Sequence, residues 1–526
     1  YKAYTDAALA EQKKLHPKEY VTYGFLPKDF LCKYQAMDVW VQIRVWREYF
    51  KESEERVKFC YIYELMINAM WALLEVERNG LPVNMDKLRI LKEKTEQTIE
   101  RTTEWLNNHP FATKAGLKTI NVKSPLQLAK LAKATRIEPK FVSAKTGLAS
   151  MDKEEVARWA DKDGSTVGKF WFAIQTAIKA RDRLSKFIVP YSTHSYGGVA
   201  RGVYSLTKSE DMGGIDSGRV GCRDLPNNTL QNTYDIKSVF ECPPDEEFIC
   251  YDFSSAEPVI LGILSDCVKY HEIFKLKAAD PDDPMGDLYK RNASKFWNLE
   301  MIFWEGDKKI WNPLRQKSKT LNLGLNYLMS PHTMSITYNI PIEECVEFYK
   351  FYFREYPEIQ LFIAGTLRDA FLNKPCYSPS GRCIQRDLSK IYDYDYDAHK
   401  TVPFFELMDM LGITGPDGHI LRKMVNFKIQ STTSDCLIAQ MAWFSAYLHK
   451  HPDVAKILKL RNPVHDSLWW SCKTKHIQWA HRFIKGRMEN PETYKLYQFK
   501  VNFPDHKLLV VEGERGRNLG EKIAIV

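Results

Sequence analysis

The sequence predicts a multidomain α+β protein. Three observations lead there. The chain has 526 residues, too many for one hydrophobic core, so two to four domains are expected. Residues 85–189 and 260–425 carry helical periodicity with few strand signals. Residues 197–252 and parts of 426–526 break instead into short apolar runs separated by turn residues.

Taken in order, residues 1–58 are polar and aromatic, with a helical stretch around Tyr34–Phe50. The apolar run Tyr61–Leu74 contains Glu64 and Asn68, so it reads as a buried helix rather than a membrane span. It continues to Arg78 and closes on Asn79-Gly80-Leu81-Pro82, strong turn punctuation. From Asp86 to Asn107 an amphipathic helix is expected, with Leu88, Leu91, Ile99 and Leu106 as its apolar stripe. Ser124-Pro125 is an N-cap with proline at the first helical position. A further helix, Val167–Ile188, ends in Lys179, Arg181, Arg183 and Lys186. Such basic faces suit a phosphate backbone, and equally an ordinary solvated surface. Phe248-Ile249-Cys250-Tyr251 reads as a buried strand ending at Asp252. The alternating Tyr392–Asp397 segment lacks the glycine and terminal glutamate of a calcium loop and reads as a plain loop.

Composition narrows the class. Apolar residues make up 44% and charged residues 27%, and the net charge is +9. An excess that mild predicts a local basic groove rather than a wholly basic face. Eleven cysteines without a CxxC pair fit reduced thiols in a cytosolic setting. The chain opens Tyr-Lys-Ala-Tyr, with no initiator Met and no signal peptide, as a fragment of a longer protein would.

The chemistry concentrates at four places. Asp252 ends its strand and would point into a cleft; the plain alternative is an N-cap of the helix opened by Ser254-Ser255-Ala256-Glu257-Pro258. Asp466 lies in Val464-His465-Asp466-Ser467-Leu468-Trp469-Trp470, at the tip of a tight hairpin. Two carboxylates from distant strands can share divalent metals; buried alone, each would be costly. Asn312-Pro313 is expected to cap a helix on which Arg315, Lys319, Leu323 and Tyr327 recur every fourth residue as one stripe. Its cations suit a polyphosphate, and Leu323 with Tyr327 suits a flat base. A second helix repeats the spacing with Arg422, Asn426 and Gln430, side chains suited to the minor-groove edge of a duplex.

With these residues in view, the chain resembles the family A DNA polymerases, the bacterial polymerase I and phage class. The family's first motif matches Asp252-Phe253-Ser254-Ser255-Ala256-Glu257. Its second matches Arg315, Lys319, Gly324 and Tyr327, and its third Val464-His465-Asp466. Glu77-Arg78-Asn79-Gly80, Ser217-Gly218-Arg219 and Leu230-Gln231-Asn232 add support. The resemblance, over about residues 30–520, implies a right hand with an antiparallel palm sheet and helical fingers and thumb. The divisions would be palm 59–84, 190–262 and 426–526, thumb 85–189 and fingers 263–425. Residues 1–58 would be the remnant of a 3′–5′ exonuclease domain, marked by Tyr34 and Asp38 but without that site's other acidic motifs. No proofreading is then expected from these residues.

The resemblance also implies roles. Asp252, Asp466 and the backbone carbonyl of Phe253 would hold two Mg2+ ions, with Mn2+ a substitute. Arg315 and Lys319 would clamp the triphosphate, and Lys319 would protonate the leaving group. Glu257 would exclude a ribose 2′-hydroxyl, and Leu323 and Tyr327 would meet the base and sugar. Arg219, Arg422, Asn426 and Gln430 would follow the duplex, and His465 the primer end. The partners implied are primer-template DNA and dNTPs, with replication accessory proteins besides, for a monomer that binds no membrane. Several positions depart from the family pattern. Leu323 replaces an aromatic residue, Ser467 a glutamate, Leu328 a common glycine and Pro258-Val259 a Leu-Arg pair, as in a viral or divergent member. Two rival readings stay open: a single-subunit RNA polymerase, opposed by the bulk of Glu257, and a noncatalytic polymerase-fold DNA-binding protein, opposed by the presence of both aspartates.

Overall fold

In this computed structural model the described residues are 2–15, 32, 36–37, 39–45, 47–48, 57–138, 151, 153–206, 217–227, 230, 233–413, 415–497, 499–501, 504 and 509–525. Tyr34, Asp38, Gln231 and Asn232 lie outside them. The chain divides into two compact units, Tyr1–Glu64 and Leu65–Val526. The first contains a helix over Lys2–Leu15. Among the described residues no helix is long and apolar enough to cross a membrane, and the described cysteines are free thiols.

Helix α1 (Val57–Asn79) buries Leu65, Ala69, Ala72, Leu73 and Val76, a stripe at helical spacing. It leaves Met70, Trp71 and Leu74 exposed. The expected buried helix is therefore buried on one face only: apolar composition alone did not say which face would be covered. Gly80 ends the helix at φ +57°, and a Cβ there would lie 2.7 Å from the Ala200 carbonyl. Only glycine fits. Arg461 Nη1 donates to the carbonyls of Asn79 (2.6 Å) and Gly80 (3.0 Å), tying this turn to the sheet.

Asn84 caps α2 (Met85–Asn107) by accepting from the Lys87 N–H. Leu88 and Leu91 at its start join the core under the sheet, whereas Leu106 at its end joins a separate helical core around Phe170, Trp171 and Ile174. One helix thus links two cores. Helix α3 (Thr166–Arg183) continues through a π-turn, Leu184–Ile188, into Val189–His194, so it runs past its expected end. Some of its basic residues are paired: Lys186 with Asp182, and Arg183 with Asp235. Lys179 is exposed.

The central sheet is antiparallel, as the resemblance implied. Its strands are β1 (Glu246–Phe253), β2 (Leu458–Val464), β3 (Ser467–Lys473), β4 (Val511–Gly516) and β5 (Ile523–Ala524), in the order β5-β4-β1-β3-β2. Phe248 and Cys250 of β1 face the core that contains Tyr191 and Phe240. Tyr251, on the other face, meets His481 through its hydroxyl at 2.7 Å. From Phe248 to Tyr251 the strand is covered on both sides and is apolar, and Asp252 is its one exposed residue.

The segment after β1 is helical, as expected. It contains α4 (Ala256–Ser265), α5 (Val268–Ala279), α6 (Leu288–Trp297), α7 (Lys308–Asn326) and α8 (Gly415–Lys450). Helix α8 runs unbroken through the 425/426 boundary. Buried amides fix α7 from behind. Asn292 donates to Asn322 at 2.7 Å, and Tyr352 donates to Asn326 at 2.9 Å. Gly324 lets Met334 approach, since a Cβ there would lie 2.8 Å from its sulfur. The Tyr392–Asp397 stretch is mostly loop, and Asp395 caps the short helix that begins at Tyr396.

Candidate active site

The two aspartates meet where β1 and the β2–β3 hairpin end together. Asp252 lies opposite Ser467 in the antiparallel register, and the Phe253 N–H donates to the Asp466 carbonyl at 3.1 Å. Val464 pairs with Ser467, leaving His465 and Asp466 as a two-residue loop. His465 takes φ 54°, and such a left-handed residue lets a two-residue turn follow the strand twist. The bland alternative for Asp252 fails: Ser255, not Asp252, holds the N-cap position of α4.

The Asp466 carboxyl is within hydrogen-bond reach of Asp252. Asp252 keeps one open side, but the packed strand end removes water from the others. That burial first, and then the negative charge of Asp466, push its pKa up to about 7. Glu512, directly opposite Asp252 on β4, adds to the effect, while Lys522 opposes it. Such a pair needs a proton or a cation between its members. Among the described residues no three His, Cys, Asp or Glu side chains are grouped to hold a metal; the crowded aspartate pair is the candidate cation site.

Helix α7 presents the predicted stripe but begins earlier than expected. Asp307, not Asn312, is the N-cap, and Pro313 lies inside the helix. Pro313 is the sixth residue of the helix, past its first turn, so its missing N–H leaves the Lys309 carbonyl without a helical donor. Tyr327 is the C-cap residue, its N–H on the Leu323 carbonyl at 3.1 Å. Arg315, Lys319, Leu323 and Tyr327 are all half-buried along one face.

Each end of the stripe is held. Arg315 Nε donates to Asp287 at 2.7 Å. Its guanidinium and the Lys319 ammonium lie 5.6 and 5.9 Å from the Tyr289 ring centre, in cation–π range. Burial raises the Tyr289 hydroxyl to about 12. At the other end Tyr327 donates to one oxygen of Glu257, and Arg219 Nη2 donates to the other at 2.8 Å. Arg219, expected along a duplex, here anchors Glu257. Burial, then Glu257, raises the Tyr327 pKa.

Arg422, Asn426 and Gln430 are half-buried on one face of α8. Asn426 joins the stripe by donating to the Tyr327 carbonyl at 3.3 Å. His465 is exposed at the hairpin tip. Ser467, where the family pattern has glutamate, is buried and accepts from Trp469 Nε1 at 2.9 Å. The supporting motif around Asn79 is structural: Glu77 accepts the Tyr204 N–H, and Asn79 donates to the Leu460 carbonyl.

Sequence reasoning missed Asp287, Tyr289, Lys277 and Glu512. Asp287 carried a signal, because it caps α6 and an acidic residue before a helical run is legible. The other three reach the site only through tertiary packing.

The sequence profile of DNA polymerase family A matches residues 86–521. This chain belongs to DNA polymerase family A. The DNA polymerase of Escherichia phage T5 is 24% identical over 450 residues, covering 80% of this chain and 48% of its own length. That of Bacillus phage SP01 is 21% identical over 574 residues, covering 98% and 57%. Thermostable DNA polymerase I of Thermus thermophilus is 43% identical over 134 residues, covering 26% and 14%. This family A chain therefore spans about half the length of the phage relatives. Its fold is that of the POL domain of Pol1 from M. smegmatis, solved in complex with a DNA primer-template and dNTP. The TM-score is 0.66 at 18% identity, over 86% of this chain and 70% of the other. Family A polymerases generally use divalent metal ions.

Proposed function

We propose that this chain is a template-directed DNA polymerase that adds dNTPs to a primer 3′ end and releases pyrophosphate. The observation that carries the reading is the meeting of Asp252 and Asp466 beside a helix that presents Arg315 and Lys319. The donor set fits two hard divalent cations: two carboxylates in mutual reach, with the Phe253 carbonyl at the same strand end. Bound there, two Mg2+ ions, or Mn2+ in their place, would acidify the primer hydroxyl and balance charge on the reacting phosphate and pyrophosphate.

The chain's own residues do the rest. Arg315 and Lys319 bind the terminal phosphates, and Lys319 supplies a proton to the departing pyrophosphate. Glu257, pinned between Arg219 and Tyr327, occupies fixed space against a ribose 2′-hydroxyl. Leu323 and Tyr327 pack on the incoming base and sugar. Arg422, Asn426 and Gln430 face the duplex minor groove, and His465 orients the primer end. The division into palm 59–84, 190–262 and 426–526, thumb 85–189 and fingers 263–425 belongs to the same reading. So do a partial exonuclease domain in 1–58, a viral origin beside the two phage relatives, a cytosolic setting and a monomeric state.

Primer extension with dNTPs and, separately, rNTPs tests the proposal. The parent chain should extend with dNTPs and poorly with rNTPs, and Asp252→Asn should abolish both. Extension by Asp252→Asn at the parent's rate refutes the metal assignment, and a preference for rNTPs refutes the polymer.

A further inference from the structure

Lys277 lies near the end of α5 and reaches the turn that follows β1. Its Nζ donates to Ser254 Oγ at 2.6 Å, and Ser254 Oγ donates to Glu512 at 2.7 Å. Ser254 comes directly after Phe253. The next residue, Ser255, has its side chain beside Tyr289, the ring near which Arg315 and Lys319 lie. The backbone is engaged as well. A Cβ on Gly286 would lie 2.6 Å from the Lys277 nitrogen, so the segment carrying Asp287, the partner of Arg315, is pressed onto the main chain of Lys277. Lys277, Arg315 and Lys319 thus lie around the turn after β1 and the Tyr289 ring.

A purely structural tether would not need a charge here. The Lys277 side chain is only 16% exposed, and burying an ammonium near two other cations is costly without an anion. Asp287 is already committed to Arg315. Glu512 is 3.9 Å from Lys277 and 74% exposed, a weak partner. Burial holds the Lys277 pKa below its usual value; Glu512 and Asp287 oppose the shift, and Arg315 and Lys319 add to it by smaller amounts. Lys277 is thus a mostly buried ammonium whose one carboxylate partner is distant and exposed, and a polyphosphate would supply a stronger one.

We propose that Lys277 is a third phosphate-binding cation of the nucleotide site, held on Ser254 in this structure and moving onto the terminal phosphates of a bound nucleoside triphosphate or pyrophosphate. The inference rests on the polymerase reading above. Arg315 shares its charge with Asp287, which leaves Lys319 and Lys277 as the cations with most to give.

Calorimetric titration of inorganic tripolyphosphate with Mg2+ into the full chain, Lys277→Met and Lys277→Arg tests it. Melting temperature, primer-template affinity and dNTP kinetics are measured in parallel. Lys277→Met should weaken tripolyphosphate binding about tenfold and raise KM for dNTP similarly, with primer-template affinity kept and melting temperature not lowered. Lys277→Arg should restore most of the loss. Tripolyphosphate affinity within twofold of the parent in Lys277→Met overturns the proposal. So does an equal loss of primer-template affinity and melting temperature, which would mark a structural residue. A parent chain that extends no primer sinks the polymerase reading instead, while the titration still decides Lys277.

Discussion

Removing the charge of Asp252 should stabilise the metal-free protein, and only above acid pH. In the folded chain the carboxyl is raised from 3.8 to about 7 by burial and by Asp466. Below about pH 4 the proton is on in both folded and unfolded states, so the group has no cost. As pH rises from 4 to 7 the unfolded chain ionises first, and folding stability falls until the folded carboxyl also ionises. At about 1.4 kcal/mol per pKa unit the loss has a ceiling of about 4 kcal/mol. Asp252 is open on one side, so solvent screening reduces this to about 1–2 kcal/mol. Asp252→Asn, neutral at every pH, should match the parent at pH 4 and melt about 1–4 °C higher at pH 8.5 in EDTA. Scanning calorimetry at both pH values reads the difference. Adding Mg2+ at pH 8.5 should raise the parent and not the variant, reversing their order. An Asp252→Asn protein no more stable than the parent at pH 8.5 would refute the claim that two carboxyls crowd one another here.

Three further outcomes are expected. Leu323→Tyr should improve acceptance of dideoxynucleotides, because leucine has neither ring nor hydroxyl to contact the sugar; equal discrimination by the two proteins counts against this. Glu257→Ala should raise rNTP incorporation about tenfold or more, and an unchanged rNTP/dNTP ratio would remove Glu257 from the gate. Asp435 is buried and accepts from Arg382 Nε at 2.8 and 3.0 Å. Asp435→Ala should therefore cost about 3–5 kcal/mol in urea unfolding, and a loss below about 1 kcal/mol contradicts that.

What was legible in the sequence was what local pattern encodes. An apolar run ending in Asp252, a two-residue His-Asp turn and a four-residue periodicity each specify a local geometry, and each appears in the fold. Pro313 misled because it stands at the sixth position of the helix, beyond the first turn that proline favours, and Asp307 made the stronger cap. The exposure of Met70, Trp71 and Leu74 was hidden because an apolar helix does not say how many faces will be covered. The pairing of Arg219 with Glu257, and the arrival of Lys277 and Glu512, depend on cross-strand register and on helices meeting across the fold. No short window of residues contains that information.

The central position of β1 has a consequence for biosynthesis. Both strands that flank it, β3 and β4, are encoded far downstream, with 213 residues between Phe253 and Ser467. At about 5–20 residues per second, a ribosome needs roughly ten to forty seconds to make the first neighbour. For that interval the most apolar strand of the sheet has neither edge paired. It must wait as a sticky ribbon, shielded by the nascent helices or by a chaperone, and premature termination before residue 467 would leave it permanently without partners.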